Sequence, residues 1–139
     1  DTPPESIGVA LVCPGSPETW ERRYAAAEET ENYFIQRVRM LLVEAGFADP
    51  HVKVARLEWQ SPDVTETVRH LAVLGCQRII VVPATTVLPT LETLLDLERA
   101  VSYARVPGTV TTITLGAWGD DDVLVAAVGA AATAALEDR

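Results

Sequence analysis

At 139 residues and 48% hydrophobic content, the chain is long enough to bury the core of one domain without disulfides or a structural metal. A net charge of −9 argues against a nucleic-acid partner, because phosphate-backbone binding draws its affinity from clustered Lys and Arg. No apolar stretch approaches the roughly 20 residues of a membrane span, and the first six residues lack the charge and apolar segment of a signal peptide, so a cytoplasmic protein is expected.

Ile7 to Val12 is a short apolar run closed by Pro14-Gly15-Ser16-Pro17, which predicts a buried strand ending in a turn, with residues 1–6 as a flexible lead-in. From Glu18 to about Ala45 the composition favours helix. Phe34, Ile35, Val38, Leu41, Leu42 and Ala45 recur on one face, and Gly46 supplies the stop. Val52, Val54 and Leu57 predict a second strand. Ser61-Pro62-Asp63 leads into a helix with Val64, Val68, Leu71 and Leu74 as its apolar stripe. The unbroken Ile-Ile-Val-Val within Arg78 to Pro83 is the pattern of a strand covered on both faces. Pro89 to about Ala104 predicts a third helix that buries Leu91, Leu94, Leu95, Leu97 and Val101. Val110, Thr112, Thr114 and Leu115 predict a fourth strand. Asp120-Asp121-Asp122 opens an Ala-rich final helix where the helix dipole favours negative charge, and the tail 137–139 is expected to fray. Strands alternating with helices predict one α/β domain over 1–139: a three-layer sandwich with a four-stranded, mainly parallel sheet and helices on both faces.

Ligands of open α/β sheets bind beyond the carboxyl ends of the strands. The residues there are Cys13 to Ser16, Glu58 to Ser61, Ala84 to Glu92, and Gly116 to Asp121. Gly15 alone makes neither a dinucleotide-binding glycine pattern nor a phosphate loop, so no nucleotide cofactor is expected. Gly15-Ser16-Pro17 lacks the second glycine of a nucleophile elbow, and no histidine is placed for a Ser-His-acid relay. His51 and His70 read as structural or surface residues. Cys13 and Cys76 have no closely spaced partner, and each is more simply a small buried residue than a ligand.

The segment Gly75 to Pro83, followed by Glu92-Thr93-Leu94-Leu95-Asp96-Leu97, resembles the strand, proline and Glu-Thr-Leu helix of the ferrochelatases. Leu57-Glu58 followed by Pro62-Asp63-Val64 is similar to the Leu-Glu, spacer, Pro-Ser-Ile pattern of the short sirohydrochlorin cobaltochelatases, and Leu115-Gly116 resembles their last strand. The likeness covers nearly the whole chain and points to the class II tetrapyrrole metal chelatases of the CbiX-like kind. It departs from them at two places. Pro14-Gly15-Ser16 stands where the family commonly has His-Gly-Ser, and Pro89-Thr90-Leu91-Glu92 carries no second histidine.

The resemblance implies insertion of a divalent metal (cobalt, nickel or iron) into a sirohydrochlorin-like tetrapyrrole, by a homodimer in which two copies complete the cleft. Insertion needs a place for the ion and a base for the pyrrole protons. Glu92 is expected as the base, with burial raising its pKa; Glu58, Glu92 and Cys13 are the candidate metal ligands. Glu92 and Glu58 are expected to share one cleft near Ser16 and the Cys13 turn. Thr85, Thr86 and Asp96 are expected beside Glu92, and Ser16, Thr85, Thr86, Trp59 and Trp118 to contact the macrocycle, the two indoles offering flat apolar surface. Without the histidines two other readings stay open: a silent relative that binds metal or tetrapyrrole, or the same fold reused for other small-molecule chemistry.

Overall fold

The structure, a computed structural model, describes residues 2–21 and 24–137. Strand β1 (Ile7–Cys13) is buried along its whole length, as a strand without a charged residue must be when it runs through the middle of a sheet covered on both faces. It pairs in parallel with β2 (Val52–Arg56) on one side and β3 (Arg78–Pro83) on the other, and β4 (Thr111–Thr114) pairs in parallel with β3. The order is therefore β2-β1-β3-β4, with Val9 facing Val52 and Ile80, and Ile80 facing Ile113. This is the four-stranded parallel sheet expected from the sequence.

Alternate residues of β1 feed two cores. Ala10 and Val12 meet Val64, Val68 and Leu71 of α3 (Val64–Val73) and Leu97 and Val101 of α4 (Leu97–Tyr103). Val9, Leu11 and Cys13 meet Ile35 of α2 (Ala25–Glu44), together with Val52 and Ala84. Helix α3 starts where Asp63 predicts it, through a reciprocal cap: Asp63 Oδ1 accepts from the Glu66 N–H at 2.7 Å, and Glu66 Oε2 accepts from the Asp63 N–H at 3.0 Å. Its stripe runs as expected up to Leu74, which is 39% exposed.

Three expectations need correction. The single helix from Glu18 is two, a short α1 (Glu18–Glu21) and then α2, because Tyr24 caps α2 with a non-helical backbone. Of the α2 stripe only Ile35 is fully buried. Val38 and Leu42 are partly packed, and Phe34 and Leu41 are exposed, since at about 100° per residue Ile35, Val38 and Leu42 share one narrow arc and Phe34 and Leu41 fall to one side of it. Before α4 the chain winds as a wide π-turn over Glu92–Asp96. The extra residue per turn carries Leu91, Leu94 and Leu95 off the face that Leu97 and Val101 continue, and all three lie exposed.

The last helix, α5 (Asp122–Glu137), begins where Asp121 Oδ1 accepts from the N–H groups of Val123 at 3.0 Å and Leu124 at 3.2 Å. From Asp122 to Leu136 every residue except the half-buried Leu124 is exposed. The end of the tail, Asp138 and Arg139, lies outside the described residues. No helix among the described residues is long and apolar enough to cross a membrane.

Candidate functional site

Pairing between β1 and β2 continues past both strands: the Leu57 N–H donates to the Cys13 carbonyl at 2.9 Å and the Glu58 N–H to the Pro14 carbonyl at 3.0 Å. This draws the Pro14-Gly15-Ser16 turn onto the β2 loop. Gly15 has φ +87°, and a Cβ there would stand 2.1 Å from the Glu58 carbonyl oxygen, so only glycine fits. The Ser16 N–H then donates to Gln60 Oε1 at 3.3 Å. On the other side of β1, Trp118 Nε1 donates to the Ala84 carbonyl at 3.0 Å and the Gly119 N–H to the Val87 carbonyl at 2.7 Å, tying the loop after β4 to the loop after β3. All four carboxyl-end loops thus form one rim.

A charged cluster sits within that rim. Glu31 of α2 receives Thr85 Oγ1 on its Oε1 at 3.0 Å and a close ion-paired contact from Arg56 Nη1 on its Oε2. The two side chains are only 24% and 13% exposed, and Arg56 Nη2 also reaches Asn32 Oδ1 at 3.5 Å. Cys13 lies fully buried beside them. Burial first, and the Glu31 carboxylate next, push its thiol from about 9.0 up to about 11.

Two cavities open on the rim. The larger, about 870 Å³, is mostly apolar, with Phe34, Ala84, Val87, Trp118, Val123 and Leu124 on its wall and Thr85, Glu31 and Asp121 as polar groups. The smaller, about 490 Å³, holds Ser16, Trp20, Tyr24, Glu28, Arg56 and Gln60. Pro14, Ala27 and Glu31 line both, so Glu31 is the ionisable group on the dividing wall.

The residues singled out from sequence separate accordingly. Ser16 lines the polar cavity; Thr85 and Trp118 line the apolar one. Thr86 is half-buried outside both, its carbonyl accepting from the Trp118 N–H at 3.4 Å. Trp59 is 71% exposed with φ +67° and lines neither. Glu58 is exposed and also lines neither; its backbone, not its carboxylate, shapes the Gly15 turn. Cys13 is fully buried and lines neither cavity.

Glu92 lines neither cavity, and the expected direction of its pKa shift needs correction. Its helix packs on the α3 side of the sheet, whereas both cavities lie on the α2 side. The carboxyl is exposed, and hydrogen bonding by the Thr90 side chain and by its own backbone N–H lowers its pKa instead of raising it. Thr85, expected next to Glu92, bonds Glu31. Among the described residues no group of three or more His, Cys, Asp or Glu side chains is placed to hold a metal ion. His51 is structural, its Nδ1 lying 2.8 Å from the Glu5 carbonyl oxygen, and His70 is exposed on α3.

Sequence reasoning missed Glu31 and Arg56, and placed Asp121 at the rim without a role. Glu31 is one of several acids in a helix-forming run, and nothing in its spacing marks it. Arg56 stands at the carboxyl end of β2, the edge where ligands of such sheets bind, and Lys53 in the same strand keeps its charge alone from marking it.

An open parallel sheet whose carboxyl rim holds a large apolar cavity with a few converging polar groups defines an α/β domain built to bind a small molecule. The family model described as CbiX matches residues 21–135, and the chain belongs to the CbiX family. Membership carries a chelatase-like role, with a divalent metal as substrate. The chain is also similar in fold to the crystal structure of a protein from Marinobacter aquaeolei VT8 described as a cobalamin (vitamin B12) biosynthesis CbiX protein. The two share 18% identity at a TM-score of 0.61, over 96% of this chain and 99% of that one. No curated protein matches.

Proposed function

We propose that the chain binds a sirohydrochlorin-like tetrapyrrole in the apolar cavity and inserts cobalt, nickel or iron into it. One observation carries this reading. A cavity of about 870 Å³, within the roughly 300–1,000 Å³ typical of small-molecule sites, opens at the carboxyl rim with Trp118 and Phe34 on its wall and carboxylates beside them. Flat apolar rings match such a wall. The family resemblance puts the proton acceptor on Glu92 and metal delivery on Glu58. The cavity supports a different assignment, in which Glu31 or Asp121, the two carboxylates on its wall, takes the pyrrole protons.

The lack of a metal-holding cluster among the described residues favours a second reading, a relative that binds the macrocycle without metallating it. For assembly we propose a homodimer, supported by α5: no charged residue falls between Val123 and Leu136, and Val123, Val125, Val128 and Leu136 are all more than half exposed. Two free, buried cysteines suit a cytoplasmic setting.

The deciding experiment mixes the protein with a metal-free tetrapyrrole and each divalent metal and follows the absorption spectrum. Insertion above the uncatalysed rate, lost in Asp121→Asn or Glu31→Gln and kept in Glu92→Gln, is the expected result. Loss confined to Glu92→Gln returns the base to Glu92. A shifted macrocycle spectrum on binding, with no insertion for any metal, establishes the silent reading.

A further inference from the structure

We infer that Arg56 docks a carboxylate arm of the macrocycle, so that the ring occupies the apolar cavity while one arm crosses the dividing wall into the polar cavity. The inference rests on the tetrapyrrole reading above and adds the group that selects an anionic ligand. Macrocycles of the sirohydrochlorin class carry several acetate and propionate arms. A chain with net charge −9 repels such a polyanion, so the site needs a fixed cation at the point of contact. Arg56 is the one cationic residue lining either cavity among the described residues.

Its setting suits the task. The side chain is 13% exposed, where a charged hydrogen bond is less screened than at the open surface. Glu31 holds one edge of the guanidinium in place. A planar group with five N–H donors can serve two carboxylates from different edges, which a lysine ammonium does with less geometric definition. Ser16 and Gln60 bring further polar groups to the same cavity. Trp20 and Tyr24, packed edge to face at 6.1 Å, give it an apolar side for the methylenes of the arm. Pro14, Ala27 and Glu31 line both cavities, so the distance between ring and arm sites is the thickness of one row of residues.

Two substitutions have opposite expected signs. Arg56→Gln removes the docking charge. Glu31→Gln keeps the side-chain shape and an acceptor for Thr85, and leaves the Arg56 charge unshared. An ion pair that serves only the scaffold predicts the same sign for both. Binding is read by fluorescence titration of the full chain with a metal-free porphyrin octacarboxylate, and with an uncharged porphyrin whose arms end in hydroxyls. Circular dichroism verifies the fold of each variant. Arg56→Gln is expected to loosen the octacarboxylate by about tenfold or more and the uncharged ring by less than about twofold. Glu31→Gln is expected to tighten the octacarboxylate. Should Arg56→Gln not fold, Arg56→Lys, which keeps the charge and loses the fork, replaces it with a smaller loss of the same sign.

Equal loosening of both ligands by both variants, or no change in either, overturns the inference and leaves the cavity assignment standing. Preference of the unaltered protein for the uncharged ring overturns it as well. Failure of the unaltered protein to bind either ring removes the tetrapyrrole reading, and this inference with it.

Discussion

The two faces of the sheet differ in how they are closed. On the α3 and α4 side, Val64, Val68, Leu71, Leu97 and Val101 interlock with Ala10, Val12, Ile79 and Val81, and the hollows there, of about 530 Å³ beside Arg69 and Pro107 and about 420 Å³ beside Glu98 and Thr114, include no residue of the Pro14 turn or the Ala84 loop. On the α2 and α5 side, α2 commits Ile35 to the core, α5 commits no fully buried residue, and both rim cavities appear. One face carries most of the fully buried core, and the other carries the cavity in which we propose that the ligand binds.

Substitutions should expose that division. Leu71→Ala, on the closed face, deletes a fully buried side chain and is expected to lower stability by about 2–5 kcal/mol in denaturant unfolding, with a residual cavity behind it. A loss below about 1 kcal/mol would show that this face is looser than its packing. Gly15→Ala, on the open face, puts a Cβ against the Glu58 carbonyl at a positive φ. It is expected to cost about 1–3 kcal/mol and to abolish macrocycle binding, because the turn must shift. Retained binding would separate the turn from the site.

Cys13 sharpens the comparison by pH. Its folded pKa is about 11 against an ordinary 9.0, so the folded state holds the proton more tightly. The linked stability is fully present below about pH 9 and is lost as pH rises through about 11. Unfolding midpoints are expected to fall across that window, less steeply in Cys13→Ser, and a thiol reagent at pH 8 should leave Cys13 unmodified until denaturant is added. Prompt labelling in the native protein would place the open cavity within reach of Cys13. The smallest effect belongs to Leu136→Ala near the end of α5. In a monomer this exposed site should change stability by no more than about 0.5 kcal/mol. A larger loss that grows with protein concentration would reveal the second copy covering α5, as would a dimer mass in light scattering.

Much of the scaffold was readable from the sequence because its signals are redundant. β3 is announced by an unbroken apolar run, and α3 by both its Asp63 start and its stripe. What could not be read was which apolar faces the chain would cover. Leu91, Leu94 and Leu95 carry the same helical spacing as Leu97 and Val101, and only the π-turn at Glu92–Asp96 separates them. The site was less legible still. The four loops do share one rim, and Ser16, Thr85 and Trp118 line its cavities, whereas the distance of Glu92 along the chain from Pro83 does not say on which side of the sheet it falls. Glu31, Arg56 and Thr85 come from three separate elements, and no local pattern relates them.

The central place of β1 also bears on how the chain can be made. During synthesis β1 leaves the ribosome before either of its neighbours exists, and β3, which pairs Ile7 with Arg78, follows only after α2, β2 and α3. Until then Val9 to Cys13 is an uncovered, uncharged edge on a nascent chain, the kind of segment that holdase chaperones recognise. Pairing of distant parallel strands is slow to nucleate, so the yield of folded protein is expected to depend more on β3 being completed promptly than on β4, whose only partner precedes it.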